Sequence, residues 1–145
     1  MILLIAPRVG SMLDISKLAS ELQISRPKVY SYLEFLQGTF FINLVSKFSR
    51  SVDRAVAGGK KIYLSDNGIL TMLTSVNPSQ LLENAMCNQL LAYGNLHFYN
   101  KRNTAEIDFI LNKEIGFELK TTGTMQDVAS LKKNAKTLKL KDNYI

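Results

Sequence analysis

Cysteine and histidine are almost missing from this chain, which has one of each among its 145 residues. The lone Cys87 excludes an internal disulfide and fits a reducing, cytoplasmic setting. With His97 as its sole companion, Cys87 has no partners for a zinc site, and it is read as a core residue among Met86, Leu90 and Leu91. Long apolar runs are missing too. Met1-Ile2-Leu3-Leu4-Ile5 is far shorter than a spanning helix and no basic residue precedes it, so neither a signal peptide nor a membrane segment is expected. Its abrupt apolar start suggests a cut from something longer, or an interface helix. No internal repeat and no low-complexity tract is visible. Gly58-Gly59-Lys60-Lys61 has the ending of a phosphate-binding loop, but position 54 is Arg54 and no Ser or Thr follows the lysines. No nucleotide and no ATPase activity are therefore expected in this chain.

A hydrophobic content of 46% is ordinary for a globular protein. The net charge of +6 suits a nucleic-acid partner, though a basic surface also simply keeps a protein soluble. The length allows one domain or two small ones.

The first half has the pattern of a helix-turn-helix followed by a wing. Asp14 to Leu22 is a short amphipathic helix with Leu18, Ala19 and Leu22 inward and Asp14 or Ser16 as cap. Gln23-Ile24 makes a tight turn, and Ser25 caps a second helix with Pro27 in its first turn. Val29, Leu33 and Leu36 form that helix's buried stripe, and Gly38 is expected to stop it. Phe40 to Val45 and Lys61 to Leu64 read as strands, joined by a polar loop carrying Lys47, Arg50, Arg54 and Lys60. With Arg26 and Lys28 leading the second helix, these six basic residues make up the expected DNA-facing surface. Tyr30 and Tyr32 are read as packing residues. Asp66 is expected to cap a helix from Ile69 to Thr74, and Ser75 to Ser79 is the one credible domain boundary.

The second half opens with a helix, Leu81 to Tyr93, started by Asn77-Pro78 or Ser79. Glu83 borders its buried side at helical spacing from Met86, Cys87 and Leu90, so it needs a basic side chain, a cap or a metal as partner. Ala105 to Lys120 then reads as a hairpin, with Ile107, Phe109 and Leu111 on one apolar face. A three-residue loop, Asn112-Lys113-Glu114, pairs Leu111 with Ile115 and sets Asp108 opposite Glu118 and Glu106 opposite Lys120. Facing carboxylates repel, so that register asks for a cation. An ordinary Glu106–Lys120 ion pair, or neutralisation of Asp108 by Lys101 or Arg102, is the alternative.

This order of elements resembles the restriction-endonuclease-like fold and its PD-(D/E)XK motif. The matching residues are an acid on the first helix (Glu83), an aspartate on one strand (Asp108) and Glu-x-Lys on the next (Glu118, Lys120). The resemblance implies that the three carboxylates hold Mg²⁺, with Mn²⁺ as substitute, and that Lys120 acts on the attacking water. Ordered blocks along nearly the whole chain, from Arg8-Val9-Gly10-Ser11 through Lys61-Ile62-Tyr63, Leu82-Glu83-Asn84 and Ala105-Glu106-Ile107-Asp108-Phe109, resemble the C-terminal region of prokaryotic, often archaeal, AAA+-type P-loop ATPases. In that family an ATPase module precedes a winged helix and a domain of unknown function. Such members continue further past the Glu-x-Lys segment, so an incomplete sheet is expected here.

The expected architecture is mixed α/β, with a winged helix-turn-helix over 1–75 and a restriction-endonuclease-like α/β module over 76–145. The expected function is DNA binding with conditional metal-dependent phosphodiester cleavage, as a deoxyribonuclease. The rival is a non-catalytic interaction module that docks on the ATPase module of the same or a related chain. Dimerisation through Ile2 to Ile5 or an unfinished sheet edge is a further expectation.

Overall fold

The computed structural model describes residues 1–51, 58–101 and 105–145; Arg54 and Arg102 fall outside them. A short helix α1 (Ile2–Ile5) runs into a single 3-10 turn. Helix α2 (Ile15–Leu22) begins where the Asp14 carboxylate accepts the Lys17 amide at 2.9 Å, and ends at Gln23 in the left-handed region. Helix α3 (Arg26–Gly38) follows Ser25, with Pro27 in its first turn. Leu18 and Ala19 of α2 and Val29, Leu33 and Leu36 of α3 share one core with Ile5, Ile42 and Ile62. Helix α3 ends at Gly38, as expected. The left-handed residue is not this glycine but Phe40, two residues on, at φ 57°.

Strands β1 (Ile42–Lys47) and β2 (Lys60–Leu64) pair antiparallel, with Leu44 opposite Ile62. Lys47 and Lys60 therefore lie in strands and not in the loop. Asp66 caps α4 (Asn67–Leu73) by accepting the Ile69 amide at 2.7 Å. Asn77 and Gln80 form a reciprocal capping box at the start of α5 (Pro78–Leu91). After it come β3 (Leu96–Lys101), β4 (Ala105–Leu111), β5 (Ile115–Phe117), α6 (Met125–Leu138) and β6 (Asp142–Tyr144).

The six strands form one mixed sheet in the order β2-β1-β3-β4-β5-β6. β1 runs parallel to β3 and β5 parallel to β6, while the other neighbours are antiparallel. Strands from both sides of the Ser75 to Ser79 stretch thus share one hydrogen-bonded surface. Cys87 and Leu90 of α5 cover one face, against Val45, Tyr63, Phe98, Phe109 and Leu111. Leu131 of α6 covers the other, against Phe48, Ile107 and Ile110. The chain is a mixed α/β protein.

One irregularity bears on the site. His97 pairs with Ile110 and Tyr99 with Ile107, so Phe98 alone stands against both Asp108 and Phe109. Such a bulge reverses the alternation of side chains beyond it. Ile107, expected beside Phe109 and Leu111, instead packs under α6 with Ile110.

Candidate functional site

The three-residue loop forms as the spacing predicts. Leu111 pairs with Ile115, and Asn112 and Lys113 take the left-handed conformations that close the turn. The ladder then stops at Phe109 opposite Phe117, one pair short of Asp108 and Glu118. Glu118 turns its amide to the Tyr144 carbonyl of β6 at 3.0 Å, and the Leu119 amide donates to Asp108 Oδ2 at 2.8 Å. Asp108 and Glu118 are thus neighbours without being ladder partners. Glu106 and Lys120 do not pair across the strands either. Lys120 Nζ lies 2.9 Å from Glu118 Oε1, and Glu106 turns to Lys61.

Lys61 and Tyr63 are the residues that the sequence reading missed. They sit two apart on β2 and share a strand face. Lys61 Nζ is 3.2 Å from Glu83 Oε1 and 3.4 Å from Glu106 Oε1, and it lies over the Phe98 ring. Tyr63 donates its hydroxyl to the same Glu83 Oε1 at 2.7 Å. The signal was available in two parts: a lysine within a buried strand, and an acid on a helix's buried side. A buried charge of either sign needs the other.

Burial by itself lowers the pKa of Lys61, but Glu83, Glu106 and Asp108 together outweigh it and hold the ammonium charged. Burial, and then the Glu118 charge, push the Asp108 carboxyl up to about 6, against the Leu119 amide and Lys61. The hydrogen bond to Glu118 raises Lys120, which stays a cation at neutral pH. Burial pushes the Cys87 thiol up and keeps it a packing residue.

Two of the three expected carboxylates suit a cation. Glu118 Oε2 is buried with no hydrogen-bond partner, and its charge bears on Asp108. Asp108 thus stands near a second carboxylate that keeps one oxygen without a hydrogen-bond partner. Glu83 does not suit one, because its Oε1 already accepts from Lys61 and Tyr63. Among the described residues no three Asp, Glu, His or Cys side chains are grouped closely enough to hold a metal ion. Glu118 and Lys120, but not Asp108, line a polar cleft of about 410 Å³ together with Glu106, Asp127 and Ser130.

The basic residues divide into two groups. Arg26 and Lys28 are exposed on α3, Lys28 over the ring of Tyr32, and Lys60 lines a cleft with Tyr30 and Gln37 of that helix. Tyr30 and Tyr32 are exposed and not packed inside as expected. Lys47 and Arg50 instead line a groove with Tyr99 and Leu138, and the Arg50 guanidinium donates to the Leu138 carbonyl at 2.7 Å. No described helix is long and apolar enough to cross a membrane.

The fold and site thus define a mixed α/β protein with a charged cluster built from β2, α5, β4 and the segment after β5. The chain belongs to the family described as Domain of unknown function (DUF8612), whose model matches residues 1–80. Residues 79–145 match Domain of unknown function (DUF4143), a domain found in AAA-type ATPase-associated proteins. An uncharacterized protein of Methanocaldococcus jannaschii is 29% identical over 143 residues, which covers 88% of this chain and 32% of that protein. The chain therefore spans about a third of the length of this curated relative. No solved structure matches it.

Proposed function

We propose that the chain is the nucleic-acid-engaging part of an AAA+-type ATPase-associated protein, with a PD-(D/E)XK-like site for metal-dependent phosphodiester hydrolysis. In this reading α2, α3, β1 and β2 form a winged helix that meets DNA through Arg26, Lys28 and Lys60. The observation that carries the catalytic half is the junction of Asp108, Glu118 and Lys120, which the Leu119 amide locks together with one buried carboxylate oxygen unpartnered. Asp108 and Glu118 would hold Mg²⁺ or Mn²⁺, which supplies charge neutralisation at a scissile phosphate when bound. Lys120 is charged, so its role is to attract the phosphate and stabilise developing negative charge, not to take a proton. The open polar cleft beside it gives a phosphodiester room to approach.

A plasmid-nicking assay with Mg²⁺ or Mn²⁺ tests this. Metal-dependent nicking abolished by Asp108→Ala is the expected result; nicking retained by that variant removes these residues from the chemistry.

A second reading, a non-catalytic module that docks on the ATPase, is favoured by the engagement of Glu83 with Lys61 and of Glu118 with Lys120. Duplex binding separates the two. Contacts to several phosphates give an affinity that falls steeply with salt, and absence of binding at low salt favours the docking module.

A further inference from the structure

Glu83 is held by hydrogen bonds at one carboxylate oxygen and closely approached at the other. Oε1 accepts from the Lys61 ammonium at 3.2 Å and the Tyr63 hydroxyl at 2.7 Å. Oε2 lies against Gly10, where a Cβ would stand only 2.8 Å away. Gly10 has φ +77° and donates its amide to the Ile62 carbonyl of β2 at 2.9 Å. β2 and the turn after the 3-10 helix, which Gly10 ties to β2, therefore flank this carboxylate on two sides. Lys61 is itself only 6% exposed, and a buried ammonium is stable only with opposite charge at hand. Glu83 and Glu106 provide that charge, and the Phe98 ring lies 5.5 Å from the nitrogen. A lysine is a compact point charge, and here it bridges carboxylates from a helix and a strand as a small cation would.

We propose that Lys61 is a tethered counter-ion that takes at Glu83 the place of a divalent cation. The chain then binds such a cation through Asp108 and Glu118 without Glu83, and Glu83 becomes a ligand only when the lysine charge is removed. The inference rests on the cation reading of Asp108 and Glu118, and it makes Glu83 a clamp between β2 and α5. Neither nucleic acid nor cleavage is needed to test it.

The experiment titrates Mn²⁺ alone into the full chain by calorimetry, for the wild type, Glu83→Gln, Lys61→Met, and the pair combined. Glu83→Gln should change the Mn²⁺ affinity of the wild type less than about twofold, while Lys61→Met should tighten it about tenfold or more, since each added carboxylate ligand strengthens a hard-cation site. The gain should vanish in the combined variant. Tenfold weakening by Glu83→Gln overturns the proposal, and so does a Lys61→Met protein that binds no better than the wild type. Binding by Lys61→Met alone, lost in the combined variant, supports the tethered counter-ion while refuting the Asp108–Glu118 reading. If Lys61→Met does not fold, the Glu83→Gln comparison decides by itself: wild-type binding that Glu83→Gln leaves unweakened supports the proposal, and tenfold weakening or absence of wild-type binding refutes it.

Discussion

The Leu119 amide donates to Asp108 Oδ2 at 2.8 Å, just past the last backbone pair of β4 and β5. A side chain thus continues the connection that the ladder drops, and it fixes the two residues on either side, Glu118 and Lys120. Asp108 is therefore both a candidate ligand and the anchor of the segment that carries the others.

Its titration follows from the same position. Burial and then Glu118 raise Asp108 from 3.8 to about 6. An acid raised by folding binds its proton more tightly in the folded state, so stability is fully kept below the unfolded pKa and falls as pH rises through this window. Asp108→Asn keeps an acceptor for Leu119 and removes the charge. In metal-free buffer the variant should exceed the wild type in urea-denaturation stability by on the order of 1–3 kcal/mol near pH 8, with the gap closing toward pH 4. A gap of the same size at both ends would contradict the titration.

Asn84 joins β2 to α5 beside the clamp. It is fully buried, accepts the Leu64 amide at 2.8 Å, and donates to the Leu64 carbonyl and to Asn67 Oδ1. Asn84→Leu leaves the Leu64 amide without this acceptor and should cost roughly 2–4 kcal/mol. Thermal melting should show a fall in Tm of roughly 5–15 °C. An unchanged Tm would mean that this bond contributes nothing.

The winged-helix reading makes a graded prediction. Arg26→Ala and Lys28→Ala should each weaken duplex binding and reduce the slope of log affinity against log salt by about one. Arg50→Ala should leave that slope alone and lower stability, because Arg50 is tied to the end of α6. A loss of slope in Arg50→Ala would return Arg50 to the nucleic-acid face.

Features set by neighbouring residues were readable in the sequence. The caps at Asp14, Asp66 and Asn77 depend on three or four consecutive positions, and the loop at Asn112 to Glu114 on the lengths of its flanking strands. The bulge at Asp108 and Phe109 was not readable, because it exists only relative to β3. Lys61 looked like part of a wing since its partners, Glu83 and Glu106, lie 22 and 45 residues further along the chain. Asn84 carries no pattern at all on its helix. The parallel pairing of β1 with β3, which makes one sheet of both halves, is equally non-local.

Crystals soaked in Mn²⁺ and measured for anomalous scattering give the most direct test that Asp108 and Glu118 hold the cation. The account predicts one peak within coordination distance of both carboxylates, with Lys61 still on Glu83. A peak on Glu83 with Lys61 displaced, or no peak at Asp108 and Glu118 in a fully soaked crystal, would contradict it.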